Sequence, residues 1–175
     1  DHNAKANEYP DYSVNKQYGV KVKWCVKGEG GIYSSPFKED NRLFVGDDTG
    51  KLTAYNIKNG KRLWQFSVQR RIVGDCAAEN GIVVFGSADS TVYGVSSANG
   101  KMIWKLKTQG PVLGAVRIVN GLAYIGASDN KMRCIDTKTG KEVWEYSGVT
   151  GYIVTRPLVT DGKVIFGAWD NTLYA

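Results

Sequence analysis

Trp24, Trp64, Trp104 and Trp144 stand 40 residues apart. A fixed period of that length points to a repeat architecture, in which each unit buries its apolar face against the next. The surrounding residues keep the same phase. Aligned on the period, the chain reads RLFVGDDTGKLTAYNIKNGKRLWQF, IVVFGSADSTVYGVSSANGKMIWKL and LAYIGASDNKMRCIDTKTGKEVWEY, then a partial copy, KVIFGAWDNTLYA.

Each copy holds a β-branched or aromatic run ending at Gly46, Gly86, Gly126 or Gly167, then a tight turn and an alternating strand. The three nearly complete copies add a second turn at Asn59-Gly60, Asn99-Gly100 or Thr139-Gly140 and a final run with the tryptophan. Upstream lie four further strand candidates, GIYSSPF, RIVGDCA, PVLGAVRIV and YIVTRPLV. Between these and the next run, Asn80-Gly81, Asn120-Gly121 and Asp161-Gly162 suit the positive φ angles of two-residue hairpin turns. No window has a convincing helical period, so the reading is all-β, with four strands, A to D, in each repeat. Four-stranded antiparallel units of about 40 residues without helices predict the blades of a β-propeller.

The fourth copy reaches strand C and has no room for D. The missing strand is expected at the other end, where residues 20–27 with Trp24 match the D strands. That segment would close the last blade and protect its edge. The expected organisation is a polar N-terminal extension over residues 1–19 and a four-bladed propeller domain over residues 20–175. The blades form either a four-bladed ring or half of an eight-bladed ring completed by a second copy, a homodimer, or by further sequence.

Composition narrows the function classes. The 23 basic and 17 acidic residues leave +6, but Lys58, Lys61, Lys101, Lys138 and Lys141 repeat at turn positions with acids between them. A solvated surface is favoured over a nucleic-acid site. No apolar run is long enough to span a bilayer as a helix. Cys25, Cys76 and Cys134 are too few and too scattered for a disulfide framework or a zinc site, and read as free thiols. The single histidine, His2, removes histidine triads and multi-histidine metal sites.

Cys134 to Trp144, CIDTKTGKEVW, matches the tryptophan-docking pattern A-x-D-x-x-T-G-K-x-x-W at all but its first position. Ala54 to Trp64 and Gly94 to Trp104 match it more loosely. On these residues the chain resembles the quinoprotein-type propeller repeat, the family of eight-bladed pyrroloquinoline quinone (PQQ) alcohol dehydrogenases and their cofactor-free relatives, across about residues 20–175. The cofactor-free relatives include a lipoprotein that scaffolds outer-membrane assembly. The resemblance implies an extracytoplasmic bacterial location. A PQQ site in this family uses adjacent cysteines and a calcium-binding carboxylate set, and neither occurs here. No cofactor, metal site or catalytic residue is therefore expected, and the reading is a non-catalytic scaffold for protein interaction or ligand binding. The alternative is a fragment of a PQQ-dependent dehydrogenase whose cofactor residues lie outside this chain.

Trp24, Trp64, Trp104 and Trp144 are expected to dock one blade on the next, because an indole offers a large flat apolar face and an N–H that needs a partner. Function is sought on the rim shared by the D-to-A connections and B-to-C turns. Trp169 is out of phase with the docking series. Its equivalents are Asp48, Ala88 and Ser128, so packing does not demand an aromatic there, and it is a candidate for ligand stacking or a partner contact. Tyr152, Arg70 and Arg71 are expected on the same rim. Asp75 and Arg156 interrupt a run of small residues near the axis, either as a mutual ion pair or as a site for a small polar or anionic ligand.

Overall fold

The structure is a computed structural model that describes residues 21–175; the expected extension over 1–19 lies outside the described residues. Among the described residues all fifteen elements are strands. Blade one comprises β1 (Phe37–Glu39), β2 (Arg42–Gly46), β3 (Lys51–Asn56) and β4 (Arg62–Ser67). Blade two comprises β5 (Ala77–Glu79), β6 (Ile82–Ser87), β7 (Thr91–Ser96) and β8 (Met102–Lys107). Blade three comprises β9 (Arg117–Val119), β10 (Leu122–Gly126), β11 (Met132–Asp136) and β12 (Glu142–Tyr146). Blade four comprises β13 (Leu158–Thr160), β14 (Lys163–Gly167) and β15 (Leu173–Tyr174). Within every blade the strands pair antiparallel in chain order. The inner strands β1, β5, β9 and β13 follow one another along the inner arc.

The turns obey the backbone geometry expected of their residues. Asn80, Asn120 and Asp161 have φ of 54°, 53° and 49°, and the glycine after each is also positive. These are the angles that let a two-residue turn follow the strand twist. Ladder pairing begins only at Phe37, Ala77, Arg117 and Leu158, near the end of each inner run. Upstream the runs cross the axis at close quarters: a Cβ on Gly74 would lie 2.3 Å from the Gly114 carbonyl oxygen. Side chains replace ladder bonds there, as when the Ser34 hydroxyl donates to the Gly46 carbonyl at 3.1 Å and accepts from the Gly46 N–H at 3.2 Å.

Three of the four docking tryptophans reach into the next blade. The indole N–H of Trp24 donates to Ile57 O at 3.0 Å, that of Trp64 to Ser97 O at 3.0 Å and that of Trp104 to Thr137 O at 2.6 Å. The rings lie on Gly60, Gly100 and Gly140, where a Cβ would come 2.7, 2.5 and 2.5 Å from the indole. Those glycines also have positive φ, so the turn and the docking surface require the same residue. Trp144 has no acceptor for its N–H among the described residues and is 37% exposed.

One expectation is corrected. Among the described residues, 21–27 do not complete the last blade: blade four has three strands and this stretch forms none. Trp24 docks on blade one as the outer strand of a preceding blade would. The segment is anchored elsewhere: the Trp24 indole N–H donates to Ile57 O at 3.0 Å and its ring lies on Gly60, which holds it against blade one.

Candidate functional site

In each blade the D-to-A connection is tied to the B-to-C turn by one backbone bond. Asp48 N donates to Gly31 O at 3.0 Å, Ala88 N to Arg71 O at 3.0 Å, Ser128 N to Pro111 O at 2.8 Å and Trp169 N to Tyr152 O at 3.0 Å. These bonds build a single rim from four equivalent loop pairs, and Trp169 occupies the same turn position as Asp48, Ala88 and Ser128.

Of the six non-docking residues singled out, the structure makes three pairs. Tyr152 and Trp169 lie with ring centroids 5.8 Å apart and planes inclined by 42°. Trp169 is 68% exposed and Tyr152 47% exposed, so the pair forms an aromatic platform open to solvent. Gly151 allows the close passage beneath it, since a Cβ there would lie 2.3 Å from Asp170 N. The turn is anchored by Asp170, which accepts bonds from Tyr174 Oη at 2.6 Å and from the Thr150 N–H at 3.0 Å. The Tyr174 hydroxyl, followed by Thr150 once the opposing effect of burial is met, draws its carboxyl down to about 2.

Arg70 and Arg71 form the second pair. Both are exposed and line a groove of about 430 Å³ with Asp48, Ala88, Pro111 and Leu113. Neither makes an ion pair among the described residues, so both guanidinium groups are available to a partner. The apolar walls, Pro111 and Leu113, went unrecognised in the sequence because they sit in the loop of a different repeat.

Asp75 and Arg156 are the third pair, joined at 2.9 Å. Asp75 also accepts the Ser35 N–H at 2.5 Å. One carboxylate thus ties the inner runs of blades one, two and four, and Arg156 is already occupied. This geometry gives the pair a bracing role, and of the three candidate arginines it leaves Arg70 and Arg71 without an ion pair among the described residues.

The turn carboxylates are also committed internally. Asp89 accepts from Tyr93 Oη at 2.8 Å, as Asp170 does from Tyr174. Asp129 instead takes two bonds from Arg133, at 3.0 and 2.6 Å, and both side chains are 4% exposed. Arg133 further meets Glu142 at 3.2 Å and Glu145 at 3.1 Å. Burial pushes the Asp129 carboxyl up, and the Arg133 bonds and charge overcome it, leaving it lowered. Sequence reading passed over Arg133; the available signal was an arginine where the equivalent positions are Thr53, Tyr93 and Tyr174.

The three thiols are free. Burial, with the Asp75 charge second, pushes Cys76 up to about 12, and burial also raises Cys134. Only Cys25 is exposed, so a thiol reagent at neutral pH is expected to modify one cysteine per native chain and all three in denaturant. Native modification of more than one would show that the blades open readily.

The comparisons with known proteins agree with this architecture. The family described as "Outer membrane protein assembly factor BamB" matches residues 15–147 and again 88–175. Outer membrane protein assembly factor BamB of Shewanella oneidensis is 33% identical over 85 residues, 46% of this chain and 21% of its own length. The chain therefore matches only about a fifth of that relative. The crystal structure of BamB from Moraxella catarrhalis is similar with a TM-score of 0.79 at 21% identity, covering 89% of this chain and 49% of that one. The computationally designed Ika4 protein is similar with a TM-score of 0.76 at 21% identity, covering 85% of this chain and 91% of that one. With the period, the docked tryptophans and the blades all in register with the family match, the chain belongs to the PQQ-like repeat family of the outer membrane protein assembly factor BamB.

Proposed function

We propose that this chain is a non-catalytic, extracytoplasmic scaffold that holds a protein partner on its rim during outer-membrane protein assembly. The observation that carries the reading is the exposed Trp169–Tyr152 platform on the same rim as a groove with two unpaired arginines. Aromatic and arginine side chains dominate binding energy at protein interfaces, where a few anchors carry most of the affinity. Arg70 and Arg71 favour an acidic partner surface, and Pro111 and Leu113 supply the apolar wall against which a charged contact is desolvated. A small anion is supported less well, because Arg156 is held by Asp75 and the groove at Arg70 is broad and open. The family's description as an assembly factor supports the process, and every side chain in the proposed contact belongs to this chain.

The test is binding of the chain to the purified outer-membrane assembly complex of its own source. Trp169→Ala and the double variant Arg70→Ala/Arg71→Ala should each weaken binding by roughly 30-fold, the loss expected of an anchor worth about 2 kcal/mol. Their melting temperatures should stay within about 2 °C of the parent, because exposed side chains contribute little to the fold. Unchanged affinity, or a melting point that falls in step with it, would remove the rim from the reading.

A further inference from the structure

Each D-to-A connection passes the outer strands of the blade it enters, and charged side chains gather there. In blade one Glu29, on the connection, meets Lys51 and also Arg62, the latter at 3.7 Å. In blade three Glu145, on β12, meets Lys131 at 2.7 Å and Arg133 at 3.1 Å. Both blades thus supply a carboxylate to their own cations.

Blade two does not. The period places Gln69 where blade one has Glu29, and Lys105 where blade three has Glu145. It adds Lys107 where the neighbours have Ser67 and Ser147. The Lys107 ammonium donates to two neutral oxygens, Asp89 O at 2.6 Å and Thr91 Oγ1 at 3.3 Å. Neither lysine meets a carboxylate among the described residues. The one acid here, Asp89, accepts from the Tyr93 hydroxyl at 2.8 Å. The connection is also less tightly fastened to the turn. Asp129 and Asp170 accept the N–H of Gln109 at 3.1 Å and of Thr150 at 3.0 Å, whereas the equivalent Asp89 takes no bond from Gln69 and keeps its Oδ1 buried without a partner. What remains is a cleft of about 590 Å³ walled by Ser67, Gln69, Asp89, Tyr93, Lys105 and Lys107. It holds two ammonium groups against one carboxylate, and it lies between two blades that each have all four strands.

We propose that this cleft receives an Asp or Glu side chain of an acidic peptide segment, with Lys105 and Lys107 as the cations that meet it. The carboxylate that the neighbouring blades draw from their own Glu side chains comes here from outside the chain, and one such group balances the cleft. The choice of a peptide rests on the rim reading: residues 67–69 border the cleft and Arg70 and Arg71 the adjoining groove, so an acidic segment following the connection meets both. Recognition led by charge should weaken as salt rises.

A fluorescein-labelled hexaglutamate peptide, titrated at about 50 mM salt to limit screening, tests the cleft directly. Lys105→Glu and Gln69→Glu each install the carboxylate that a neighbouring blade has, so each should weaken binding about tenfold or more, with circular dichroism and melting point unchanged. Lys101→Glu makes the same charge change as Lys105→Glu on the C-to-D turn and should leave affinity within about twofold, and Arg70→Ala/Arg71→Ala should lower it by no more than about threefold. Zero-length carbodiimide coupling, read by peptide mapping, should join the peptide chiefly to Lys105 and Lys107. Loss in Lys105→Glu with the arginine variant intact sustains the cleft even where the rim fails its own test. Loss in the arginine variant alone keeps the rim and overturns the cleft. Equal affinity of the parent and Lys105→Glu also overturns it, as does an equal loss in Lys101→Glu, coupling spread evenly over the surface lysines, or equal binding of a hexaglutamine peptide. Full competition by glutarate at the same carboxylate concentration would report a site for free organic acids and overturn the peptide.

Discussion

Trp104→Ala is expected to lower unfolding stability by about 3–5 kcal/mol, the range for deleting a buried large aromatic. That is a large share of the 5–15 kcal/mol typical of a whole domain. Trp104 is 8% exposed and is enclosed from both sides. A Cβ on Gly94 of its own blade would lie 2.2 Å from the indole, and one on Gly140 of the next blade 2.5 Å. Two glycines facing one ring leave nothing able to collapse into the space, so the cavity term persists after truncation. The indole bond to Thr137 O adds to the loss, since that carbonyl would be left buried without its donor. Trp104→Phe retains apolar area but not the N–H and should fall between parent and alanine. Trp169→Ala, 68% exposed, should cost less than about 0.5 kcal/mol. Urea melts followed by circular dichroism measure all three, and an equal loss at Trp104 and Trp169 would contradict the division between docking and rim tryptophans.

The blades were legible because their determinants are local and repeated. A glycine beneath three of the indoles, a hairpin turn with positive φ and an alternating strand recur in the same phase of the repeats. Four recurrences of a pattern leave little freedom in the fold. The inner runs were less legible. Their residues look like strands, but pairing stops where neighbouring backbones crowd at Gly74 and Gly114, and that crowding is set by how the blades converge rather than by any one segment. The last blade was misread for a related reason: Trp24 identifies an outer strand by type, and nothing in residues 20–27 states which blade's edge it meets.

The rim shows the same division. Trp169 stood out because it breaks the phase, and its stacking on Tyr152 follows from a loop pairing present in all four blades. Asp75 and Arg156 also broke the pattern, yet which of their two readings applied depended on whether an arginine of blade four could reach blade two, a distance the sequence does not contain. Arg133 escaped notice because it lies on a strand face whose other occupants are uncharged. Its partners come from the turn before it and from the neighbouring strand β12, so the network assembles only when the register of blade three is known.

That network yields the second large effect. Arg133→Ala should destabilise by about 3–5 kcal/mol, the cost of breaking a buried ion pair and leaving the other charge uncompensated. Asp129 would then sit buried, with Glu142 and Glu145 on the strand beside it, and Lys131 is engaged by Glu145 at 2.7 Å. Arg133→Tyr should recover most of the loss, because blades two and four already pair the same aspartate with Tyr93 and Tyr174. The pH dependence separates charge from packing. In the parent the Asp129 carboxyl is lowered, so its contribution is present above the unfolded value of about 3.9 and fades as pH falls toward the folded one. Without Arg133, burial is opposed only by the backbone N–H bonds of Gln109 and Lys131, and the folded value moves up from that of the parent. Protonation then costs the variant less than it costs the parent. The gap between parent and Arg133→Ala should therefore narrow from neutral pH to about pH 4, and the gap for Arg133→Tyr should change much less. A gap for Arg133→Ala that is constant across that range would assign the loss to packing of the arginine's hydrocarbon stem, and the buried charge would no longer be its cause.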